Sequence, residues 1–345
     1  MERIVYLNES FCAVAEDGRL AEYIPIRSGD GTGRILFGRV DRIMPGLDAA
    51  FVKIGRKRDG FLPLRENSQS FTGNRLRSGD RVLVQIRREE TGEKGAYLSR
   101  DLSIPGSYLI LMPMNRHIGV SARISDPETR DRLSRLGRDL SGGAFGLVMR
   151  EASAEADPDL LREELDSLLQ KWESVQAGEI PDESPAEELL RDYQPRGITR
   201  IERDTPLPPD LMRQLKEAKN RRIQLPHGGN IVLDRCEALT VIDVNSASDA
   251  GEGSRRETAL RTNLEACREI MIQARLRNLS GILILDLIDM EDREDQDRVE
   301  DALRDAFRAD RVKTVIHGYT RLGLMEMTRK RGRSSWQDSF RPEEG

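Results

Sequence analysis

The sequence predicts a mixed α+β protein of several domains, in which a small β-barrel precedes an α/β domain. Two patterns indicate this: short alternating strands with turns fill residues 34–102, and from residue 225 onward apolar strands alternate with amphipathic helices. The length of 345 residues agrees, because a prior of about 150 residues per domain gives two to three domains.

Five short runs make up the predicted barrel. Each has the alternating, β-branched pattern of a strand, and they are ILFGRVDRI (35–43), AAFVKIG (49–55), GFLPL (60–64), RVLVQIRR (81–88) and AYLSRDL (96–102). Five strands at this spacing fit an OB-type fold, whose exposed face commonly binds oligonucleotides. Phe51 and Phe61 lie among basic residues here, so they either stack on bases or fill the barrel core. For each phenylalanine taken alone, the core position is favoured.

The middle of the chain gives weaker signals. We expect strands at 107–112 and 145–150, and a helix at 158–176 whose apolar residues recur every three or four positions. The Pro-rich stretches 178–185 and 195–210 are expected to be irregular.

The second half has the pattern of βαβ units. The expected strands are EALTVIDVNS (237–246), GILILDLIDM (281–290) and VKTVIHGYT (312–320), and the expected helices cover 255–278 and 294–309. Strands separated by helices of this length favour a parallel sheet.

Composition excludes several classes of protein. No stretch of about 18 apolar residues is present, so no membrane span is expected. The three cysteines, Cys12, Cys236 and Cys267, are too far apart for a CxxC zinc knuckle or a disulfide framework. With no apolar signal segment at the N-terminus, we expect a cytoplasmic protein.

The net charge of −5 conceals a segregation of charge. Residues 34–102 carry 15 Lys/Arg against 9 Asp/Glu, residues 311–333 carry 7 against 1, and residues 151–192 carry 3 against 14. Because a polyanion responds to charge within a Debye length of about 8 Å, the two basic segments are candidate nucleic-acid surfaces. Solvated faces of an Arg-rich protein would give the same counts.

Two apolar strands each carry a carboxylate. Asp243 lies in LTVIDVN and Asp286 in ILILDLI, where an unpaired charge would cost several kcal/mol if buried. Ligands of open α/β sheets lie at the carboxyl ends of strands, so two parallel strands would place both carboxylates on one rim. Magnesium binds one or two carboxylates together with phosphate oxygens and water. Alternatively each Asp caps a strand or pairs with an Arg; the pair together with Asn245 favours the metal site.

Other candidate sites are weaker. The Gly-rich run SGDGTG (28–33) precedes a strand rather than a helix and lacks a GK[ST] end, so it is not expected to bind phosphate. The three histidines show no metal-ligand spacing, and strand alternation would point Asp289 away from Asp286.

Several runs resemble the catalytic half of the bacterial RNase E/G endoribonuclease family. The most specific are LPHGGNIVLDRCEALTVIDVNSA (225–247), ETALRTNLEA (257–266), GILILDLIDM (281–290) and RLGLMEMTRKR (321–331). GRVDRIMPGLDAAFVKIG (38–55) with EKGAYLS (93–99) is similar to the family's S-one-type RNA-binding barrel. GSYLILM (106–112) and GLVMRE (146–151) resemble its 5′-sensor region.

This resemblance implies roles for particular residues. Asp243 and Asp286 are the magnesium ligands, supported by Asn245, with manganese as a possible substitute. Phe51, Phe61 and Lys94 match RNA contacts of the barrel. The family's pocket for an RNA 5′-monophosphate is matched by Gly106, Ile110, Arg150, Glu151 and Lys313. The family usually has Thr at the position of Glu151. We therefore expect this protein to discriminate only weakly between RNA with and without a 5′-monophosphate.

The resemblance also implies a domain organisation. Residues 1–33 with 172–225 correspond to a shortened RNase H-like subdomain, 34–102 to the OB-type barrel, 103–171 to the 5′-sensor-like region, and 226–345 to a DNase I-like catalytic domain. The family continues with a CPxC zinc-link that is absent from this sequence. We therefore expect no zinc, and a monomer or a zinc-independent dimer.

Together these features predict a magnesium-dependent endoribonuclease that cuts single-stranded RNA in RNA processing, including rRNA processing, or decay. The alternative is a non-catalytic RNA-binding protein that retains the fold; a DNA nuclease is a weaker third possibility.

Overall fold

A computed structural model describes residues 2–26, 31–64, 76–90, 94–179, 185–246, 254–308 and 310–330. Parts of the predicted loop at 28–33, the turn at 91–95, the Pro-rich stretch 178–185 and the basic segment 311–333 lie outside these residues. None of the helices in the described part of the chain has the length and apolar character that a membrane crossing needs.

Six α-helices are described: α1 (Pro127–Ser141), α2 (Pro158–Ala177), α3 (Pro185–Tyr193), α4 (Pro209–Glu217), α5 (Arg255–Leu276) and α6 (Arg293–Arg308). The strands of the first half are β1 (Arg3–Leu7), β2 (Phe11–Glu16), β3 (Arg19–Pro25), β4 (Ile35–Met44), β5 (Ala49–Lys53), β6 (Gly60–Pro63), β7 (Arg81–Arg88), β8 (Tyr97–Ser99), β9 (Ile104–Pro105), β10 (Leu109–Met112), β11 (Ile118–Val120) and β12 (Gly146–Met149). Those of the second half are β13 (Arg200–Arg203), β14 (Arg222–Gln224), β15 (Asn230–Arg235), β16 (Leu239–Asn245), β17 (Gly281–Asp286), β18 (Thr314–Tyr319) and β19 (Met325–Arg329).

These elements form two compact units. One unit combines residues 1–26 with 198–345, and the other is the contiguous segment 27–197. The mixed α+β class with a closed barrel and an α/β part is confirmed, whereas the four-domain division made from the sequence stays a prediction.

The contiguous unit contains the barrel and a second, smaller sheet. The barrel closes in the order β4-β5-β6-β8-β7, with the five strands where the sequence predicts them. Its core consists of small and branched apolar side chains: Val40, Ala50, Val52, Leu62, Val82, Val84, Ile86, Ala96 and Leu98. The smaller sheet has the order β11-β12-β10-β9, and α2 packs its buried leucines against β10 and β9.

The other unit contains two sheets. The first has the order β13-β1-β2-β3 and packs against α4 through Leu211 and Leu215. The prediction of irregular structure over 195–210 is therefore wrong at β13, a strand whose alternating charged and apolar residues are too few to be recognised in isolation.

The second sheet of this unit has the order β14-β15-β16-β17-β19-β18. Only β16 and β17 are parallel, while every other pair is antiparallel, so the expected parallel sheet is a mixed one. The reason is connectivity: α5 forms one crossover between β16 and β17, but β18 and β19 form a hairpin that enters the sheet antiparallel to β17.

Helices α5 and α6 cover one face of this mixed sheet. The apolar side of α5 faces the sheet, since Cys267 and Ala274 are fully buried in the same core cluster as strand residues. Burial raises the pKa of the Cys267 thiol to about 12, so this thiol stays protonated and packs as an apolar side chain. At the end of β19, the fully buried Arg329 donates hydrogen bonds to Asp310 (2.7 Å) and to the Leu279 carbonyl (2.8 Å).

Candidate functional site

The two predicted carboxylates are neighbours across the parallel strand pair of the six-stranded sheet, β16 and β17. The register of β16 and β17 pairs Asp243 directly with Asp286. Neighbouring strands lie about 4.8 Å apart, and paired residues of a parallel ladder point to the same face. Both strands run in the same direction and Asp286 is the last residue of β17, so the two carboxylates share the carboxyl-end rim of the sheet.

Alternation along the strands determines which face the carboxylates occupy. Ile242 and Val244 on β16, like Leu283 and Leu285 on β17, are buried in the core under the helices. Asp243 and Asp286 therefore point to the opposite face, where Asp243 is half-buried and Asp286 is exposed.

Asn245 supports this rim from two residues beyond Asp243. Its Nδ2 donates a hydrogen bond of 2.8 Å to Asp243 Oδ2, which fixes the orientation of that carboxylate. Within the described ranges neither Asp243 nor Asp286 takes part in an ion pair, so the alternative that each aspartate is there to pair with an arginine has no support.

A guanidinium lies within electrostatic reach of the rim. Arg221, just before β14, forms a two-pronged ion pair with Asp234 on β15. This hydrogen bonding raises the pKa of Arg221, and the charge of Asp243 contributes in the same direction. Asp234 therefore keeps a positive charge near Asp243; nothing in the sequence spacing indicates this arrangement.

The donor set of the rim suits a hard divalent cation. Two carboxylates leave most coordination positions to water and substrate oxygens, which is the mode magnesium prefers. Across the described parts of the chain no three His, Cys, Asp or Glu side chains cluster as metal ligands, whereas a catalytic zinc site takes three protein ligands.

The segment that follows β17 is held in place by a buried amide. The side chain of Asn263, fully buried on α5, accepts from the Ile288 amide (3.0 Å) and donates to the Ile288 carbonyl (2.9 Å). Strand β17 ends at Asp286, so strand alternation does not extend to the exposed Asp289, and the direction of its side chain stays a prediction.

Phe51 and Phe61 lie on the outer surface of the barrel rather than in its core. They form a cross-strand pair between β5 and β6, are partly exposed, and contact each other edge to face with ring centroids 6.0 Å apart. The favoured core position of each phenylalanine is thus not what the structure shows. A third ring that the sequence reasoning missed, Tyr97, lies 5.9 Å from Phe61.

Lys94 is exposed beside this surface. It precedes Gly95, where a Cβ would lie 2.0 Å from the Asp59 carbonyl oxygen, so only glycine permits this close approach to the start of β6. The Phe61 amide donates a hydrogen bond to the Ala96 carbonyl (2.7 Å), so the segment after Lys94 is also bound to β6.

Arg150, Gly106 and Ile110 come together in the smaller sheet. Arg150 follows β12; its amide donates to the Tyr108 carbonyl (2.8 Å) and its guanidinium to the Gly106 carbonyl. The other guanidinium nitrogen donates to Asp192 at the end of α3 (2.8 Å). Ile110 lies on β10, paired with Val148.

A glutamate on α2 organises the backbone next to Gly106. The Glu164 carboxylate accepts the amides of Ser107 (2.5 Å), Tyr108 (2.8 Å) and Leu109 (2.8 Å). A Cβ on Gly106 would lie 2.5 Å from the Glu164 carboxyl carbon, so a larger residue at this position would displace that carboxylate. Glu164 and Asp192 are residues that no sequence signal identified, because both act from more than 40 positions away.

Glu151 does not pair with its neighbour Arg150. It forms an exposed contact of 3.3 Å with Arg123, while Arg150 is held by Asp192. Lys313, the remaining residue assigned to a 5′-phosphate pocket, is exposed and belongs to the other compact unit.

Comparison with known proteins identifies the family. The sequence model of the Ribonuclease E/G family matches residues 103–207 and 186–332. Ribonuclease G of Haemophilus influenzae is 34% identical over 95% of this chain and 78% of its own length. Ribonuclease E of Nostoc sp. is 33% identical over 95% of this chain and 55% of its own length. Ribonuclease E of Escherichia coli is 37% identical over 85% of the chain, which spans only 33% of that protein. Because the family model matches two thirds of its residues and a relative 34% identical is covered over 78% of its length, the chain belongs to the ribonuclease E/G family.

Proposed function

We propose that this endoribonuclease of the E/G family hydrolyses single-stranded RNA with a magnesium ion held by Asp243 and Asp286. The observation that carries the proposal is the in-register pairing of the two aspartates at the carboxyl ends of the only parallel strand pair in the described sheet. Manganese, which accepts the same oxygen ligands, is a possible substitute.

The groups at and near the rim have separate proposed roles. Magnesium, when bound, supplies a hydroxide-like nucleophile and offsets the charge of the phosphodiester in the transition state. Asn245 holds one oxygen of Asp243, so the carboxylate is already oriented before the ligand arrives. Arg221 places positive charge near a site that must accept an anionic strand.

Separate surfaces would hold the strand. Phe51, Phe61 and Lys94 on the barrel are proposed to bind bases and backbone. Gly106, Ile110, Arg150 and Glu151 are proposed to form the pocket for a 5′-monophosphate, with weak discrimination; the role of Lys313 stays a prediction. We further propose that the protein acts in RNA processing or decay in the cytoplasm, without zinc, as a monomer or a zinc-independent dimer.

The rival function is RNA binding without cleavage. A protein that only binds RNA gains nothing from two adjacent carboxylates, since they repel each other and the phosphate backbone. Their unpaired state on the exposed face, within the described residues, favours the enzyme.

Cleavage of a labelled single-stranded RNA and its DNA counterpart tests the proposal. We expect RNA to be cut with magnesium or manganese, DNA to be spared, and excess chelator to stop the reaction. Asp243→Asn should abolish cleavage and leave binding intact, whereas Asp301→Asn, which removes an exposed carboxylate from α6, should behave as the unchanged protein. Intact RNA in every arm, together with measured RNA binding, would support the binding function instead, and cleavage by Asp243→Asn at the unchanged rate would remove Asp243 from the mechanism.

The zinc proposal has its own measurement. Metal analysis of the purified protein should give less than stoichiometric zinc, and a zinc chelator should leave its oligomeric state unchanged. Stoichiometric zinc, or an oligomer that a zinc chelator dissociates, would contradict it.

A further inference from the structure

Three aromatic rings form a continuous row on the outside of the barrel. Phe51, Phe61 and Tyr97 occupy three adjacent strands, and the strand register places Phe61 opposite both Phe51 and Tyr97. Their centroids are 6.0 Å and 5.9 Å apart. All three rings are partly exposed and none belongs to the barrel core.

A guanidinium lies over the ring at each end of this row. Arg42 on β4 pairs in register with Phe51, and its guanidinium carbon is 4.7 Å from the ring centroid. Arg88 on β7 pairs with Tyr97 in the same way, at 4.5 Å. Arg42, Phe51, Phe61, Tyr97 and Arg88, here called the aromatic row, therefore cross all five strands of the barrel in their spatial order.

Packing within the sheet does not account for the aromatic row. Cross-strand aromatic pairs stabilise a sheet by roughly 0.2–1 kcal/mol each. Phe51 and Phe61 alone would already supply one such pair, so the third ring is not needed for it. The inner face of this barrel already has a complete apolar core. A third ring and two exposed cations on the outer face add apolar and positively charged surface, which is the composition of a single-strand binding platform.

We propose that Tyr97 is a third base-stacking residue and that the aromatic row binds a run of at least three unpaired nucleotides. This inference rests on the proposed function and extends the surface beyond Phe51, Phe61 and Lys94. Each ring offers a face to one base, and the two terminal guanidiniums offer stacking and a phosphate contact.

The spacing of the rings selects the conformation of the strand. Bases stacked in a duplex strand advance by about 3.4 Å per nucleotide, whereas neighbouring rings in the row are close to 6 Å apart. Bases on consecutive rings must therefore separate from one another. The row accepts an extended single strand and rejects a stacked helix.

Substitutions at Tyr97 test the inference in a background that does not cut RNA. Binding of unstructured labelled oligonucleotides of two to six nucleotides is measured with Asp286→Asn protein, so the result does not depend on catalysis. Tyr97→Ala should weaken binding of the longer oligonucleotides by about 5- to 150-fold and leave dinucleotide binding nearly unchanged. Tyr97→Phe keeps the ring and should bind normally.

Two controls separate stacking from a structural role. Phe37→Ala removes another partly exposed ring from the barrel surface, one that carries the Arg81 guanidinium at 3.8 Å but lies outside the row, and it should not affect binding. Tyr97→Leu keeps apolar bulk on β8 without an aromatic face. It should melt within a few degrees of the unchanged protein and still bind weakly.

Other outcomes would overturn the inference. Normal binding by folded Tyr97→Ala or Tyr97→Leu protein would remove Tyr97 from the interface, and a fully paired RNA hairpin binding as well as a single strand would refute the spacing argument. Arg88→Gln should reduce the slope of log affinity against log salt by about 0.7 if it neutralises one phosphate. If the unchanged protein failed to cut RNA while these binding results held, the proposed hydrolysis would fail and the aromatic row would stand.

Discussion

The carboxylate rim and the surroundings of Arg150 are built in opposite ways. The rim is set by backbone register, because the pairing of β16 with β17 alone brings Asp243 beside Asp286, and one amide adds orientation. Arg150 is instead held by partners distant in sequence, since Asp192 takes its guanidinium and Glu164 fixes the backbone next to it. We therefore expect substitutions at the rim to change the rate of cleavage and to leave the free energy of unfolding unchanged. Substitutions around Arg150 should change the free energy of unfolding as well.

The largest effect is expected at the rim. Asp286→Asn replaces an exposed carboxylate with an amide of the same shape, so cleavage should fall by at least about 100-fold through the loss of metal binding. The melting temperature should shift by no more than a degree or two. Single-turnover rates and thermal melts on the same preparation measure both quantities. A large drop in melting temperature would contradict the contrast between the two regions, since it would show that the rim contributes to the stability of the fold.

The next largest effect is expected on stability, at Glu164. Glu164→Ala leaves three backbone amides without their carboxylate and should lower the free energy of unfolding by about 2–3 kcal/mol. Glu163→Ala, the adjacent exposed residue of α2, is the matched control and should change stability by less than about 0.5 kcal/mol. Denaturant melts of the two variants measure the difference, and equal midpoints would show that the loop next to Gly106 does not depend on Glu164.

A smaller effect is expected at Asn245, the only side chain in the described structure that donates to Asp243. Asn245→Ala should slow cleavage about 10- to 100-fold at limiting magnesium, because the carboxylate is no longer oriented. Added magnesium should restore part of the rate, since the loss is one of affinity. A magnesium titration that shows the same deficit at every concentration would place Asn245 in a different role.

The smallest effect is expected at Glu151. Its contact with Arg123 is exposed, and exposed ion pairs contribute at most about 1 kcal/mol. Glu151→Thr removes a negative charge next to Arg150 and should increase the preference for 5′-monophosphate over 5′-hydroxyl RNA by no more than about fivefold. Cleavage rates on the two RNAs decide it; a strong monophosphate preference in the unchanged protein would show that Glu151 does not weaken 5′ sensing.

The sequence predicts what depends on local pattern. The five barrel strands, helices α2, α5 and α6, and the rim aspartates all follow from apolar periodicity and strand spacing. Glu164 and Asp192 could not be predicted, because their contacts depend on how distant segments pack. The antiparallel entry of β19 was missed for a related reason, since its charged and apolar residues alternate in only five positions and its partner strand is set by the hairpin with β18.

The outer position of Phe51 and Phe61 shows a second limit of sequence reasoning. Alternation places Val52 and Leu62 on one face and the phenylalanines on the other, but it does not say which face is enclosed. Phenylalanine, valine and leucine are all among the residue types most often buried, so burial statistics do not decide between the two faces. The barrel encloses the branched side chains, and they pack closely there: a Cβ on Gly60 would lie 2.4 Å from Leu98 Cδ1.

The pairing of β1 with β13 has a consequence during protein synthesis. Arg3 and Thr199, which lie at the start of that parallel pair and share a hydrogen bond, are 196 residues apart. At a translation rate of 5–20 residues per second, the N-terminal strands wait roughly 10–40 s for this partner. The whole of the contiguous unit 27–197 is made in that interval. The barrel proposed to hold the strand is thus synthesised before the rim proposed to cut it.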